Sequence, residues 1–257
     1  MNRPRTVVVG SQLRDIDGLR IAMQVQGEGD PLLLINGMTR PLQSWEAFTR
    51  ELTGRTVITF DAPGVGGSPT PALPLSIRGL AALALAVLDA AGLDAPGLGT
   101  ADVLGFSHGG AVAQQLAHDA PGRVRRLILV ATSCGAGATM GTRQAVLRSL
   151  GTPGHGNPWP RPDALGLLWH SLAMSSWSSI PFLGALAAPT LVVCGTRDQV
   201  VPPENGRVLA GRIPDAALVM LAAGHDVQRP VPARALARLV EDFLPAGSAT
   251  RREPASG

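Results

Sequence analysis

Short apolar runs typical of buried strands alternate with helical segments along almost the whole chain. The predicted strands occupy residues 6–9, 20–24, 32–35, 56–60, 101–104, 124–130, 189–194 and 216–220. The predicted helices occupy residues 44–52, 76–92, 108–119, 203–213 and 231–243. We expect the first two strands to form an antiparallel hairpin through Asp17-Gly18 and the others to be parallel. This alternation requires a mostly parallel eight-stranded sheet with helices on both faces.

One insert, residues 134–188, interrupts the alternation after the sixth predicted strand. Inside it, segments 142–150 and 163–174 are predicted to be helical, and the stretch between them is rich in Pro and Gly. We therefore predict a core made of residues 1–133 and 189–245 and a small helical cap at 134–188. Residues 246–257 are small and polar, which predicts a flexible C-terminal tail.

The second helix of the predicted cap is apolar on most of its faces, so it must lie against something. We expect its apolar side to line a substrate pocket. The predicted pocket residues are Leu168, Trp169, Leu172 and Trp177. Alternatively, such residues only pack the cap onto the core.

The motif Gly105-Phe106-Ser107-His108-Gly109 lies between the fifth predicted strand and the helix that follows it. A Gly-x-Ser-x-Gly sequence in this setting predicts a sharp turn that holds its serine in a strained conformation, clear of the sheet. The glycines are needed because a Cβ atom there would collide with a neighbouring strand or helix. The motif nominates Ser107 as a catalytic nucleophile; the alternative is an ordinary Gly/Ser turn.

Two further loops supply the partners that a nucleophilic serine requires. Asp198 follows the seventh predicted strand, and His225 follows the eighth. The order Ser, acid, His, each beyond the C-terminal end of a strand, predicts a triad in which His225 takes the proton of Ser107 and Asp198 orients the imidazole. Asp226 is a rival acid, but a residue adjacent to the histidine usually points elsewhere. Alternatively, Asp198 caps a turn and His225 is a surface histidine.

The loop after the third predicted strand, Asn36-Gly37-Met38, is a candidate oxyanion hole. In a fold with this elbow, one backbone N–H of that loop and the N–H after the serine bind the oxyanion that forms during attack. Those amides belong to Met38 and His108; the alternative is a simple strand-ending turn. We also expect Asp61 to hold its own loop beside these residues, unless it only forms a local Asx-turn.

The elbow, the acid loop and the histidine loop together resemble the α/β-hydrolase superfamily. Four further segments are similar to intracellular poly(3-hydroxyalkanoate) depolymerases: FDAPGVGGSP at 60–69, AQQLAHD at 113–119, WSSI at 177–180 and RIPDA at 212–216. The similarity extends from about residue 5 to about residue 244. Two differences lie next to the substrate: His108 stands where that family has tryptophan, and the insert is shorter.

This resemblance implies an α/β-hydrolase fold and a serine hydrolase that cleaves a carboxylic ester through an acyl-serine intermediate. The favoured substrate is a hydrophobic acyl or hydroxyacyl ester, either a small molecule or an oligomer derived from a polyester. Thioesters, lactones and the carbon–carbon bonds of diketones are alternatives, because the same triad cleaves them. A non-catalytic ligand receptor on this fold is the alternative outside enzymes. The oligomeric state stays open.

Composition agrees with a globular protein and argues against several other classes. The chain has 257 residues, of which 45% are hydrophobic and 16% are charged, which suits one domain with a substantial core. All 22 basic residues are arginine and they are scattered, so the net charge of +3 does not indicate nucleic-acid binding. The segment 76–92 is interrupted by Arg78 and Asp89, so no membrane span is expected.

The sequence predicts neither a cofactor nor a metal. The glycines at 64, 66 and 67 do not match a nucleotide-binding pattern, and no Cys/His cluster has metal-ligand spacing. His155 and His170 are expected to be structural. With two cysteines and no N-terminal signal segment, we expect free thiols and a cytoplasmic protein.

Overall fold

One eight-stranded sheet organises the chain over residues 10–93, 99–150 and 163–244, which the computed structural model describes. The strands are β1 (Gln12–Ile16), β2 (Leu19–Gln26), β3 (Asp30–Ile35), β4 (Arg55–Phe60), β5 (Ala101–Phe106), β6 (Val124–Val130), β7 (Thr190–Gly195) and β8 (Ala216–Leu221). Their spatial order is β1-β2-β4-β3-β5-β6-β7-β8. β2 is antiparallel to β1 and β4, whereas β3 to β8 pair in parallel. The predicted mostly parallel sheet is confirmed.

The first strand of the described sheet is not the one predicted at residues 6–9, which lie outside the described residues. Gln12–Ile16 forms the hairpin with β2, and Ile16 pairs with Leu19 across the predicted turn. Asp17 and Gly18 have φ values of 51° and 77°, as a two-residue turn that matches strand twist requires. β1 is an edge strand whose first four residues are exposed, so it carries no apolar run to mark it.

Helices cover both faces of the sheet. They are α1 (Glu46–Thr49), α2 (Ile77–Leu88), α3 (His108–Asp119), α4 (Arg143–Ser149), α5 (Ala164–Ser175), α6 (Glu204–Arg212) and α7 (Pro230–Phe243). Side chains of α2, α3 and α6 share one apolar core, and those of α1 and α7 share the other. Leu33 and Ile35 of β3 enter the first core, whereas Leu32 and Leu34 enter the second. Successive side chains point to opposite faces, which is why this strand is apolar from Leu32 to Ile35.

The helices predicted at residues 44–52 and 76–92 are only partly α-helical, because their α-helical parts are α1 and α2. A 3₁₀ turn, Leu42–Trp45, precedes α1, and a π-helical turn, Asp89–Leu93, follows α2. Gly92 in that turn has a φ of 87°, which glycine tolerates and which ends the regular helix. Among the helices of the described residues, none has the length and apolar character that crossing a membrane requires.

The insert between β6 and β7 contains α4 and α5, close to the two helices predicted there. Thr142 and Asp163 cap them by accepting hydrogen bonds from the backbone N–H three residues later. The N-terminal end of α5 touches the loop after β4, since a Cβ on Gly166 would lie 2.7 Å from the carbonyl oxygen of Gly64. This backbone contact seats the insert over the C-terminal edge of the sheet. Residues 151–162, with His155, and the predicted tail lie outside the described residues.

Candidate active site

Ser107 occupies the tight turn that joins β5 to α3. Its φ of 53° and ψ of −119° are strained for a residue with a Cβ. A Cβ on Gly105 would lie 2.5 Å from the carbonyl oxygen of Gly109, and a Cβ on Gly109 would lie 2.2 Å from that of Ile35. Both positions therefore need glycine, as predicted. Thr132 Oγ1 donates to the Ser107 carbonyl at 2.6 Å and steadies the turn.

An unbroken line of hydrogen bonds joins Asp198, His225 and Ser107. His225 Nδ1 is 2.8 Å from Asp198 Oδ2, and His225 Nε2 is 3.1 Å from Ser107 Oγ. The other carboxylate oxygen, Oδ1, accepts backbone N–H bonds from Val200 and Val201 at 2.8 and 2.9 Å. These bonds hold the buried carboxylate so that Oδ2 accepts from Nδ1–H. The Nε2 of a neutral imidazole then accepts the serine proton.

Asp226, the rival acid, engages two arginines instead of the imidazole. Its Oδ1 forms an ion pair with the buried Arg40, and its Oδ2 is 3.5 Å from Arg229 Nε. The expected contact of His225 with Asp198, and not with Asp226, is therefore present. Because Arg40 follows β3, its ion pair also joins the loop after β3 to the loop that carries His225. Burial lowers the pKa of Arg40, and the Asp226 carboxylate opposes that shift.

The Asn36 side chain organises the loop of the predicted oxyanion hole. Its Oδ1 accepts from the Gly37 N–H at 3.0 Å and from Gln228 Nε2 at 2.8 Å. Its Nδ2 donates to the Pro41 carbonyl at 2.9 Å and to Ser44 Oγ at 2.8 Å. All the hydrogen-bonding capacity of this buried amide is used, which fixes the loop. Gln228 was not predicted from the sequence, because no motif or spacing identifies it.

Asp61 fastens the loop after β4 next to this segment. Its Oδ1 accepts from the Leu42 N–H at 2.6 Å, and its Oδ2 accepts from the Gly67 N–H at 2.8 Å. Burial raises the pKa of Asp61, although the two backbone N–H groups stabilise its charged form. Of the two predicted roles, the structure shows the tie between loops and not only a local Asx-turn.

Two buried histidines meet beneath the insert. The ring of His108, which follows Ser107 in the chain, contacts the ring of His170 from α5 edge-on, with 4.8 Å between centroids. His170 Nε2 is 3.0 Å from the Pro63 carbonyl, while His108 Nε2 has no hydrogen-bond partner among the described residues. Burial lowers the pKa of both, and the neighbouring His170 helps to place that of His108 well below its ordinary value. Both rings are therefore neutral near pH 7, and His170 packs the insert onto the core.

A cavity of about 420 Å³ lies above Ser107. Its core side includes Gly37, Met38, Phe106, His108 and His225, and its side from the insert includes Ala136, Ala138, Met140, Val146, Leu150 and Met174. Ser171 and Ser175 also line it, but their hydroxyls donate to carbonyls within α5. The wall provided by the insert is therefore largely apolar.

The predicted pocket residues of the insert are wrong, because none of the four lines this cavity. The face of α5 at Ser171, Met174 and Ser175 does so instead, while Leu168 and Leu172 are 50% and 47% exposed. Trp169 Nε1 donates to the Pro71 carbonyl at 3.1 Å, and Trp177 Nε1 donates to Gln115 Oε1 at 2.8 Å. Both indoles thus attach the insert to the core. An α-helix that is apolar on most faces gives no periodic signal of which face meets a ligand.

Asn205 is a further cavity residue that was not predicted from the sequence. Its Oδ1 accepts from the Thr139 N–H at 2.8 Å, and its Nδ2 donates to the Thr139 carbonyl at 2.9 Å. This pair of bonds attaches the start of the insert to the helix after the Asp198 loop. The partners are 66 positions apart in the chain, so no local sequence pattern predicts the contact. In the described part of the chain, no group of His, Cys, Asp and Glu side chains is arranged to hold a metal ion.

Comparisons with known proteins find matches over most of the chain. A family model described as the alpha/beta hydrolase fold matches residues 30–151 and 160–229. A poly(3-hydroxyalkanoate) depolymerase from Ectopseudomonas oleovorans is 35% identical over 225 residues, which cover 76% of this chain and 77% of the relative. A 2-hydroxy-6-oxononadienedioate/2-hydroxy-6-oxononatrienedioate hydrolase from Comamonas testosteroni is 28% identical, covering 91% and 94%. A hydrolase structure from Pseudomonas aeruginosa PA01 superposes with a TM-score of 0.79 at 28% identity, covering 92% and 98%.

Proposed function

This chain belongs to the α/β-hydrolase family, and on that premise we propose that it is a serine hydrolase that cleaves carboxylic esters through an acyl intermediate on Ser107. The observation that carries the proposal is the hydrogen-bonded line from Asp198 through His225 to Ser107. It ends at an apolar cavity, so the hydroxyl stands next to both a base and a space for an acyl group.

The proposed reaction has two halves. In the first, Ser107 Oγ bonds to the ester carbonyl carbon and its proton passes to His225 Nε2. The carbon–oxygen bond to the alcohol then breaks, and the same proton goes to the leaving oxygen. In the second, water gives a proton to His225 and attacks the acyl group, which leaves as the acid while Ser107 regains its proton. Asp198 keeps Nδ1 protonated and stabilises the imidazolium.

The oxyanion that forms in each half is assigned to the backbone N–H groups of Met38 and His108. His108 is the first residue of α3, where backbone N–H groups have no partner within the helix. Met38 lies in the loop that the Asn36 amide holds in place. A preorganised donor of this kind contributes about 10²–10³ in turnover.

The substrate class follows from the cavity and from the relatives. An apolar space of about 420 Å³ fits a hydrophobic acyl or hydroxyacyl group better than a polar one. The 35% identity to a poly(3-hydroxyalkanoate) depolymerase supports esters derived from such a polyester, as oligomers or small molecules. Carbon–carbon bond hydrolysis is the second candidate, because the relative from Comamonas is named as a hydrolase of an oxo-dienedioate. A non-catalytic receptor would not need the hydrogen-bonded triad.

Turnover of a substrate panel tests this proposal. Purified protein is assayed with 4-nitrophenyl esters of increasing acyl length, hydroxyacyl oligomers, thioesters, lactones and a vinylogous diketone. We expect multiple turnovers with esters, a burst of nitrophenol equal to the enzyme concentration where deacylation limits the rate, and a Ser107-linked acyl group detected by mass spectrometry. Release of a single equivalent without turnover would support a receptor, and preference for the diketone would replace esterase by carbon–carbon hydrolase.

A cytoplasmic location is also part of the proposal. Cys134 and Cys194 are free and buried, and disulfides are rare in that reducing compartment. Burial raises the pKa of both thiols, that of Cys194 to about 11, so neither is a reactive thiolate near neutral pH. Fractionation of cells that express a tagged copy would test the location.

A further inference from the structure

A second cavity, of about 230 Å³, adjoins the first one at His225. Both cavities are lined by Arg40, Ser149, Val200 and His225. The second is also lined by Arg148, Arg197 and Asp226. Because the cavities have these residues in common, they lie side by side at the imidazole of His225.

Basic side chains outnumber acidic ones around this second cavity. Arg40 and Asp226 compensate each other in an ion pair, and the Arg40 side chain is only 7% exposed. Arg148 on α4 and Arg197 in the Asp198 loop both face solvent. No other carboxylate of the described residues lines the cavity, so these two guanidinium groups leave it with a positive potential. Guanidinium groups pair with planar oxyanions such as carboxylates through parallel N–H donors.

The position of the cavity indicates which half of an ester it receives. In the proposed reaction His225 returns its proton to the leaving oxygen, so the alcohol portion lies on the imidazole side of the scissile bond. The larger apolar cavity takes the acyl portion. We infer that the second cavity is a subsite for a carboxylate carried by the alcohol portion, an inference that rests on the proposed function. The substrate is then an acyl ester of a hydroxyacid whose carboxylate is free.

This subsite dictates where an oligomer of hydroxyacids is cut. Only the terminal unit at the carboxylate end carries a free negative charge. The second cavity, at about 230 Å³, is little more than half the size of the first, at about 420 Å³. It therefore holds one short unit while the larger cavity holds the acyl chain. The enzyme releases single hydroxyacids from the carboxylate end.

The test compares a 3-hydroxybutyrate dimer with its methyl ester, which differs only in lacking the free carboxylate. For the wild-type protein we expect kcat/KM for cleavage of the internal ester to be about tenfold higher with the free acid. Two guanidinium groups that contact a carboxylate at a solvent-exposed site stabilise it by about this factor. Arg148→Gln/Arg197→Gln should bring this ratio close to one. Raising the salt concentration should also lower the ratio. Arg143→Gln/Arg207→Gln, which removes two exposed arginines that do not line the cavity, should keep it.

Binding to the Ser107→Ala protein, measured by calorimetry, gives a readout that needs no turnover. The free acid should bind more tightly than the methyl ester, and Arg148→Gln/Arg197→Gln should abolish the difference. Equal affinities and equal kcat/KM for the two dimers overturn the subsite even where both are hydrolysed. An equal loss of the ratio in Arg143→Gln/Arg207→Gln overturns it in favour of long-range charge. Absence of hydrolysis of every ester overturns the proposed function instead, and the calorimetric comparison then decides the subsite alone.

Discussion

The core side and the insert side of the cavity are built in different ways. On the core side, polar groups are held by bonds that leave little freedom: Asp198 accepts two backbone N–H groups besides His225, and Asn36 uses its whole amide. On the insert side, Ser171 and Ser175 turn their hydroxyls back to α5, and Met174 completes a largely apolar wall.

If the proposed function holds, this difference separates the chemistry of the reaction from the choice of substrate. Groups that move protons need fixed distances, since a small displacement of a reacting atom is costly, and the core supplies them from loops at the edge of one rigid sheet. An acyl chain needs only volume and apolar contact, which the insert supplies. Changes on the core side should therefore affect the rate of reaction with every substrate, and changes on the insert side should affect the choice among substrates.

The largest expected effect is that of Ser107→Ala. With no hydroxyl for His225 to deprotonate, turnover should fall on the order of 10⁵-fold or more for every ester. Circular dichroism and thermal unfolding should show an intact fold, because the variant removes only one oxygen atom. Activity within about tenfold of the wild type would mean that the core side does not carry the chemistry as we propose.

The second prediction separates the two neighbouring acids. Asp198→Asn should lower kcat by about 10⁴-fold, because an amide favours the wrong tautomer of His225. Asp226→Asn should cost far less in kcat and should instead lower the free energy of unfolding by about 1–3 kcal/mol, because it leaves the buried Arg40 with a weaker partner. Steady-state kinetics and urea unfolding of both variants provide the measurement. A reversed order of the kcat losses would identify Asp226 as the acid.

The third prediction concerns the histidine contact that joins the two sides. Burial holds the pKa of His108 and His170 below the ordinary 6.5, so below pH 6.5 the unfolded chain binds protons that the folded chain does not. The free energy of unfolding should therefore fall as the pH drops below 6.5 and recover above it. The slope should be about 1.4 kcal/mol per pH unit for each histidine, until the pH reaches the folded pKa.

Urea unfolding between about pH 5.5 and 7.5 measures that slope. His170→Gln removes one of the two groups and should reduce the slope. Leu168→Ala is the matched control, since Leu168 lies on the same helix as His170, is 50% exposed and carries no titratable group. An identical pH dependence in wild type and His170→Gln would show that the contact between core and insert does not sense protons.

The smallest effect is expected on the insert side. Met174→Ala enlarges the cavity and should shift kcat/KM toward longer acyl chains by about fivefold, with every ester still hydrolysed. Leu168→Ala lies on the same helix but is 50% exposed, so it should leave the acyl profile unchanged and stability within about 0.5 kcal/mol. A 4-nitrophenyl ester series measures both. If only Leu168→Ala altered the acyl profile, the face of α5 that contacts the acyl chain would be the one predicted from the sequence.

The sequence alone determined the sheet, the elbow and the order of the three candidate catalytic residues. These features have local causes. Burial on two covered faces makes β3 apolar from Leu32 to Ile35, and a Cβ at Gly105 or Gly109 would collide with backbone. Asp198 and His225 follow because loops after parallel strands meet at one edge.

Tertiary structure decided what distant segments do to each other. The face of α5 that meets the cavity depends on how Gly166 rests on Gly64, and the apolar pattern of this helix is too uniform to indicate a face. The pairs Arg40–Asp226 and His108–His170 join residues 186 and 62 positions apart. No sequence spacing or motif predicts either pair. The free energy of such contacts comes from burial and close approach, which exist only once the sheet, the loops and the insert have come together.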